Sequence, residues 1–299
     1  MVAEEIVAPF KEIYPFRSHF LKLDSYSYHF LDEGEGDPLL MLHGNPTWSF
    51  YYRSLIRGLQ HQNRCVVPDH MGCGLSDKPQ NYPYTLETHI QNVETLVDHL
   101  SLDNITLVVH DWGGAIGMGF ATRHPEKIKR LIIFNTAAFI SNRIPWSIDI
   151  CRNPLIGPFA IQGLNAFSRV ALIRASKVSG RLAGKVSEGY LAPYKTPEDR
   201  IAQLRFVQDI PMTPDVKSYP VVQEIESSLG KFKNHPALIV WGLKDFCFTE
   251  HFLDRWKMIL PNAEVQALKK AGHYVVEDAY EDIIPNMIRF LNKHPIDAK

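Results

Sequence analysis

Cysteine is scarce and scattered. Cys65, Cys73, Cys151 and Cys247 form no C-x-x-C pair, so neither a disulfide framework nor a zinc site is expected, and the four read as reduced thiols. Charge of one sign is lacking too. The 32 Lys and Arg stand against 33 Asp and Glu with no basic stripe, which excludes nucleic acid as the expected partner. No window approaches the roughly 20 consecutive apolar residues that a spanning helix needs. Internal repeats and low-complexity tracts are also missing. The start, Met1-Val2-Ala3-Glu4-Glu5, is acidic where a secretion signal would be basic and then apolar, so a cytoplasmic location is expected.

What remains is the make-up of an ordinary globular protein, 45% hydrophobic and 22% charged over 299 residues, long enough for one large domain or two small ones. Two alternating segments, Ser18–Leu23 and 26–32, read as antiparallel strands at a sheet edge. Beyond the turn Glu33-Gly34-Glu35-Gly36-Asp37 the texture changes. Short apolar runs at 38–42, 64–67, 105–109, 131–134, 237–241 and 265–268 alternate with helical patterns at 50–59, 86–100, 113–123, 252–259 and 280–292. That rhythm predicts an α/β fold, with a mostly parallel eight-stranded sheet flanked by helices. It breaks for about a hundred residues after Phe134, where short helical stretches are punctuated by prolines. Since strand and helix resume afterwards, residues 138–215 are expected to form an inserted helical cap, and 1–137 with 216–299 the core.

Ligands in open α/β sheets sit beyond the carboxyl ends of the strands. Three polar residues fall at such ends: Asp111 in "VVHDWGG", Asp245 in "WGLKD" and His273 in "AGH". The residues Asn135-Thr136-Ala137, after the 131–134 run, offer no rival carboxylate to Asp245. Asp69 is read as a residue that fixes loops. The adjacent Asp69 and His70 have no third ligand at a sensible spacing, so no metal is expected.

Together, "LHGNPTW" (42–48), "PDHMGCGLSDKP" (68–79), "VVHDWGG" (108–114), "WGLKD" (241–245) and "AGH" (271–273) resemble the haloalkane dehalogenases of the α/β-hydrolase fold. The chain order Asp, Asp, His is that fold's order of nucleophile, acid and base. The resemblance implies that Asp111 displaces halide from a saturated carbon, giving an alkyl ester on the enzyme. His273, oriented by Asp245, would then activate the water that cleaves this ester. Backbone N–H groups of Trp112 and of Asn45 or its neighbour would form the oxyanion hole. The Trp112 indole and the Asn45 amide would bind the halide, which needs donors and no proton. No cofactor is implied. The expected partners are a small apolar substrate, water and halide.

Each residue also has a plainer reading. Asp111 can be a helix N-cap, Asp245 a turn starter and His273 a surface histidine. Asn45 can open a turn before Pro46, and Trp112 can pack beneath the cap. The aromatic cluster Trp48, Phe50, Tyr51 and Tyr52 can line a pocket or anchor the first helix. Three further functions stand beside dehalogenation. One is a β-lactone decarboxylase of olefin biosynthesis, which shares all five site residues and which the apolar cap residues Trp146, Phe159, Phe167 and Phe206 would suit. Another is an epoxide hydrolase, for which Tyr190, Tyr194 and Tyr219 are available as acids, although Asn45 argues against it. The last is a non-catalytic module on the same fold.

Overall fold

The computed structural model describes residues 3–296. Met1 and Val2 of the acidic start, and residues 297–299 of the expected core, lie outside the described residues. The eight strands are β1 (Ser18–Leu23), β2 (Tyr26–Glu33), β3 (Asp37–Leu42), β4 (Asn63–Pro68), β5 (Ile105–Asp111), β6 (Ile128–Thr136), β7 (Ala237–Gly242) and β8 (Glu264–Leu268). They form one sheet in the order β1-β2-β4-β3-β5-β6-β7-β8. The β1–β2 and β2–β4 pairs are antiparallel, and every pair from β4–β3 to β7–β8 is parallel. This is the expected α/β architecture.

The inner strands are buried on both faces, which is why they read as continuous apolar runs. Leu40, Leu42, Leu107 and Val109 join one core, with the helices Leu86–His99 and Trp112–Arg123. Leu39, Met41, Val108 and Ile132 join the other, with Arg53–Leu59 and Val275–Lys293. β3 lies between β4 and β5, so the chain leaves it in one direction and returns on its other side. At such a switch point the loops beyond the strand ends diverge and leave a crevice. The register Leu42↔Val109 brings the residues after β3 beside Asp111 at the end of β5.

Two elements differ from expectation. The helix expected from 280 is preceded by a further helical turn from Val275, the two joined across a kink at Ala279 (φ −148°, ψ 28°). Its β-branched opening disguises a helix whose start is fixed from outside. The Asp278 carboxylate accepts the N–H groups of Gly272 (2.7 Å) and Lys177 (2.9 Å). The helix expected at 50–59 opens with a 3-10 turn, Ser49–Tyr52, before Arg53–Leu59. Its aromatic cluster is fully buried, with Tyr52 Oη donating to the Leu42 carbonyl (2.9 Å) and Trp48 Nε1 to that of Gly189 (3.2 Å). These four residues anchor the helix and do not line the cavity described below. Asp69 holds loops, as expected: its carboxylate accepts the N–H groups of Ser49 (2.6 Å) and Leu75 (2.8 Å) and pairs with His29 (2.8 Å).

Candidate active site

Asp111 sits on a sharp turn from β5 into the helix Trp112–Arg123. Its φ of 51° and ψ of −127° lie in a region that a side chain enters only under strain, at a cost on the order of 1–3 kcal/mol. Small residues make the turn possible. A Cβ on Gly114 would run into the Thr136 side chain, and one on Gly44 into the Asp111 carboxylate itself. The Thr136 hydroxyl donates to the Asp111 carbonyl and holds the turn from β6. The Asp111 side chain makes no capping hydrogen bond to its helix, so capping does not account for this residue.

Instead, Oδ1 of Asp111 accepts the backbone N–H of Asn45 at 2.6 Å, and the Trp112 N–H also bears on the carboxylate. These are the two N–H groups expected at an oxyanion hole. Burial pushes the carboxyl pKa above its ordinary value, an effect that His273 and the two N–H groups only partly offset.

His273 lies on the loop after β8, and three backbone contacts fix that loop. Gly272 N–H donates to Asp278, Tyr274 N–H donates to the Ala175 carbonyl (2.9 Å), and the His273 carbonyl meets His110 Nε2 (2.9 Å). The Phe248 ring stacks on the imidazole at 5.8 Å between centroids. Nδ1 of His273 contacts Asp245 Oδ2 at 2.8 Å, and Nε2 points to Asp111 Oδ2 at 3.8 Å. The Asp245 bond fixes the tautomer, leaving Nε2 as the ring nitrogen directed at Asp111. The 3.8 Å separation is too long for a direct hydrogen bond. Burial works against protonation of His273, but the Asp245 and Asp111 carboxylates together outweigh it and hold the imidazole above its usual pKa. Asp245 is itself held by the Cys247 N–H at 2.6 Å. Asn135, read only as the lack of a rival acid, ties β6 to β7 by exchanging hydrogen bonds with Gly242 (2.8 and 3.1 Å).

The structure thus brings Asp111, His273, Asp245, Asn45 and Trp112 together. All but Asp245 line one cavity of about 410 Å³, a size in keeping with small-molecule sites. Its walls are mostly apolar and include Trp146, Phe167 and Phe248. Phe206 lies behind Trp112, with ring centroids 5.2 Å apart, and Phe159 faces outward. The Asn45 amide donates one N–H to the Gln203 carbonyl (3.0 Å) on the helix Ile201–Gln208. Gln203, Gly44 and Thr136 support the site without being read from the sequence. Only Gly44, inside "HGN", carries a local signal. The three tyrosines weighed as acids do not line the cavity. Tyr190 Oη donates to Glu277, and Tyr194 Oη accepts from the Gly74 N–H at 3.1 Å.

Chemically, a buried carboxylate faces an imidazole oriented by a second carboxylate, with N–H donors beside it at the inner end of an apolar chamber. Among the described residues no helix is long and apolar enough to cross a membrane.

The family model for the alpha/beta hydrolase fold matches residues 37–280. A cis-3-alkyl-4-alkyloxetan-2-one decarboxylase from Shewanella oneidensis is 47% identical over 285 residues, covering 93% of this chain and 89% of that protein. Haloalkane dehalogenase 2 of Mycobacterium tuberculosis is 31% identical over 298 residues, covering 94% and 96%. Among solved structures, the haloalkane dehalogenase DatA from Agrobacterium tumefaciens superposes with a TM-score of 0.83 at 26% identity, covering 93% of this chain and 97% of that one. The chain therefore belongs to the alpha/beta hydrolase fold family, as an enzyme whose relatives include oxetanone decarboxylases and haloalkane dehalogenases.

Proposed function

We propose that the protein decarboxylates cis-3,4-dialkyl β-lactones to alkenes, with Asp111 as nucleophile. The observation that carries this reading is the 47% identity to an oxetanone decarboxylase, against 31% to a dehalogenase. Dehalogenation thereby passes from first expectation to alternative, while the assigned apparatus stays the same. The geometry is compatible with both, because halide and carboxylate are weakly basic leaving groups that need donors and no acid. The engagement of Tyr190 and Tyr194 elsewhere counts against an epoxide, whose alkoxide must be protonated.

In this reading Asp111 attacks the ring carbon that bears the lactone oxygen. That carbon–oxygen bond breaks and the oxygen departs as a carboxylate, met by the Asn45 amide and the Trp112 indole. The new ester C–O bond lies opposite the departed oxygen, hence anti to the carboxylate on the neighbouring carbon. Loss of carbon dioxide then sends its electron pair into the new double bond and expels the Asp111 carboxylate. No water or proton is consumed, and inversion followed by anti elimination keeps the two alkyl chains cis. The N–H groups of Asn45 and Trp112 receive the charge that returns to Asp111. Residues 138–215 are taken as the cap that supplies the apolar wall, and residues 1–137 with 216–299 as the core.

The test is a synthetic cis-3,4-dialkyl oxetanone incubated with purified protein, with cis-alkene and carbon dioxide as products and Asp111→Ala as control. Alkene formed only by the wild type is expected. Halide release from bromoalkanes with no alkene from the lactone would restore the dehalogenase reading.

A further inference from the structure

Eight of the eleven large hydrophobic side chains that lie exposed among the described residues fall between positions 146 and 173. They include Trp146 (78% exposed), Leu155 (82%), Phe159 (67%) and Ile173 (78%). Contiguous exposed apolar surface on a folded domain marks an interaction site.

The charge of this stretch is equally uneven. Residues 141–185 hold seven Lys and Arg and a single acid, Asp149, in a chain whose overall charge is −1. Three of the seven are paired: Arg152 with Asp149, Arg181 with Glu281 and Lys185 with Glu12. The other four, Arg143, Arg169, Arg174 and Lys177, are exposed and have no carboxylate partner among the described residues.

The patch is continuous with the cavity. Arg143, Trp146, Ile150, Val170 and Arg174 are exposed and also line the chamber that ends at Asp111 and His273.

We propose that this apolar and basic face is a docking surface for an anionic lipid bilayer, set around the cavity mouth so that apolar substrate and product pass between membrane and chamber. Exposed apolar side chains including a tryptophan, interspersed along the chain with three arginines and a lysine that have no carboxylate partner, suit a protein that lies on a membrane without spanning it. A second copy fits less well. In a two-fold dimer the patch would face itself and bring the four unpaired cations together. The surface does not depend on which leaving group the site expels, since lactones and haloalkanes with long chains are both apolar.

The experiment is co-sedimentation of the full chain with vesicles of phosphatidylcholine alone and of phosphatidylcholine with about 30% phosphatidylserine. Two variants that spare the cavity lining accompany it, Leu155→Ser/Phe159→Ser/Ile173→Ser and Arg169→Glu/Lys177→Glu. Unchanged circular-dichroism melts establish that they fold. Binding to anionic vesicles at least tenfold tighter than to neutral ones is expected, weakening with salt. Removing each cation should cost about fivefold, and the apolar triple variant should lose binding. Absence of wild-type binding, or binding that both variants retain, overturns the proposal. Self-association in sedimentation velocity that the triple variant abolishes, without vesicle binding, assigns the face to a second copy instead.

Discussion

Replacing His273 with Phe separates the two chemistries that the site can support. A bromoalkane leaves an ester on Asp111 that only water can remove, and activating that water falls to His273. General-base catalysis contributes about 10²–10⁴-fold, so the variant should stall, and intact-mass spectrometry should show an alkyl adduct mapping to Asp111. A β-lactone leaves an ester that expels itself as carbon dioxide departs, so alkene should keep forming, more slowly. The cost to the lactone reaction comes through charge. Burial raises the Asp111 pKa and His273 counteracts it. At 3.8 Å and an effective dielectric of about 20, a protonated imidazole attracts the carboxylate by about 4 kcal/mol. Asp111 must be ionised to attack, so removing the imidazole should move the acid limb of lactone turnover upward. Rates of wild type and variant on both substrates, measured from pH 5 to 9.5, check this. A variant that stalls on the lactone with the undecarboxylated adduct at pH 9 refutes the water-free scheme.

Under the proposed mechanism, Trp112→Phe removes one donor to the leaving group. Hydrogen bonds to charged groups are worth about 1.5–3 kcal/mol, so stopped-flow halide release should slow by about ten- to a hundredfold, and ester hydrolysis less. Equal slowing of both steps would remove the assigned role. Glu277→Ala strands Arg53, whose guanidinium is buried against that carboxylate and contacts Glu277 Oε2 at 2.9 Å. Loss of one partner of a buried pair costs about 3–5 kcal/mol, measurable by urea melts, and a cost under about 1 kcal/mol would contradict it. His89 is buried with both ring nitrogens unpartnered among the described residues, and burial pulls its pKa down to about 3. The unfolded chain takes up that proton below about pH 6.5 and the folded chain does not. Stability therefore falls as pH drops through the window from about 6.5 to 3, by about 1.4 kcal/mol per unit for this group. His89→Phe, which keeps the stack on Phe206, should flatten the urea-derived slope by that amount. An unchanged slope would show that His89 is not the source.

The three residues at strand ends can be read from the sequence because a parallel strand is placed by its own apolar run. Once 105–109 is a buried strand, Asp111 must lie at its carboxyl end, and Asp245 follows β7 in the same way. Contacts across long sequence separations are invisible by this route. The Asn45–Gln203 bond joins residues 158 apart and the Arg53–Glu277 pair residues 224 apart, and nothing local marks either. The aromatic cluster from Trp48 to Tyr52 shows the same limit. Its composition suits a pocket as well as a core, and only the packing of its neighbours puts all four rings inside. The segment from 146 to 174 resists reading because it is broken into pieces too short for a period, among them a π-helical turn at Pro158–Gly163.

The partner that orients the Asn45 amide is a main-chain carbonyl. Every amino acid supplies that oxygen, so the contact itself does not require glutamine at position 203, whose buried side chain serves another purpose by accepting from the Ser168 hydroxyl (2.9 Å). Only displacement of the helix Ile201–Gln208 can aim the amide elsewhere. Under the proposed mechanism, a lineage can therefore retune how this donor meets a departing anion by lengthening or tilting one distant segment, while the five side chains of the site stay unchanged. Enzymes with identical motifs can diverge in chemistry by that route.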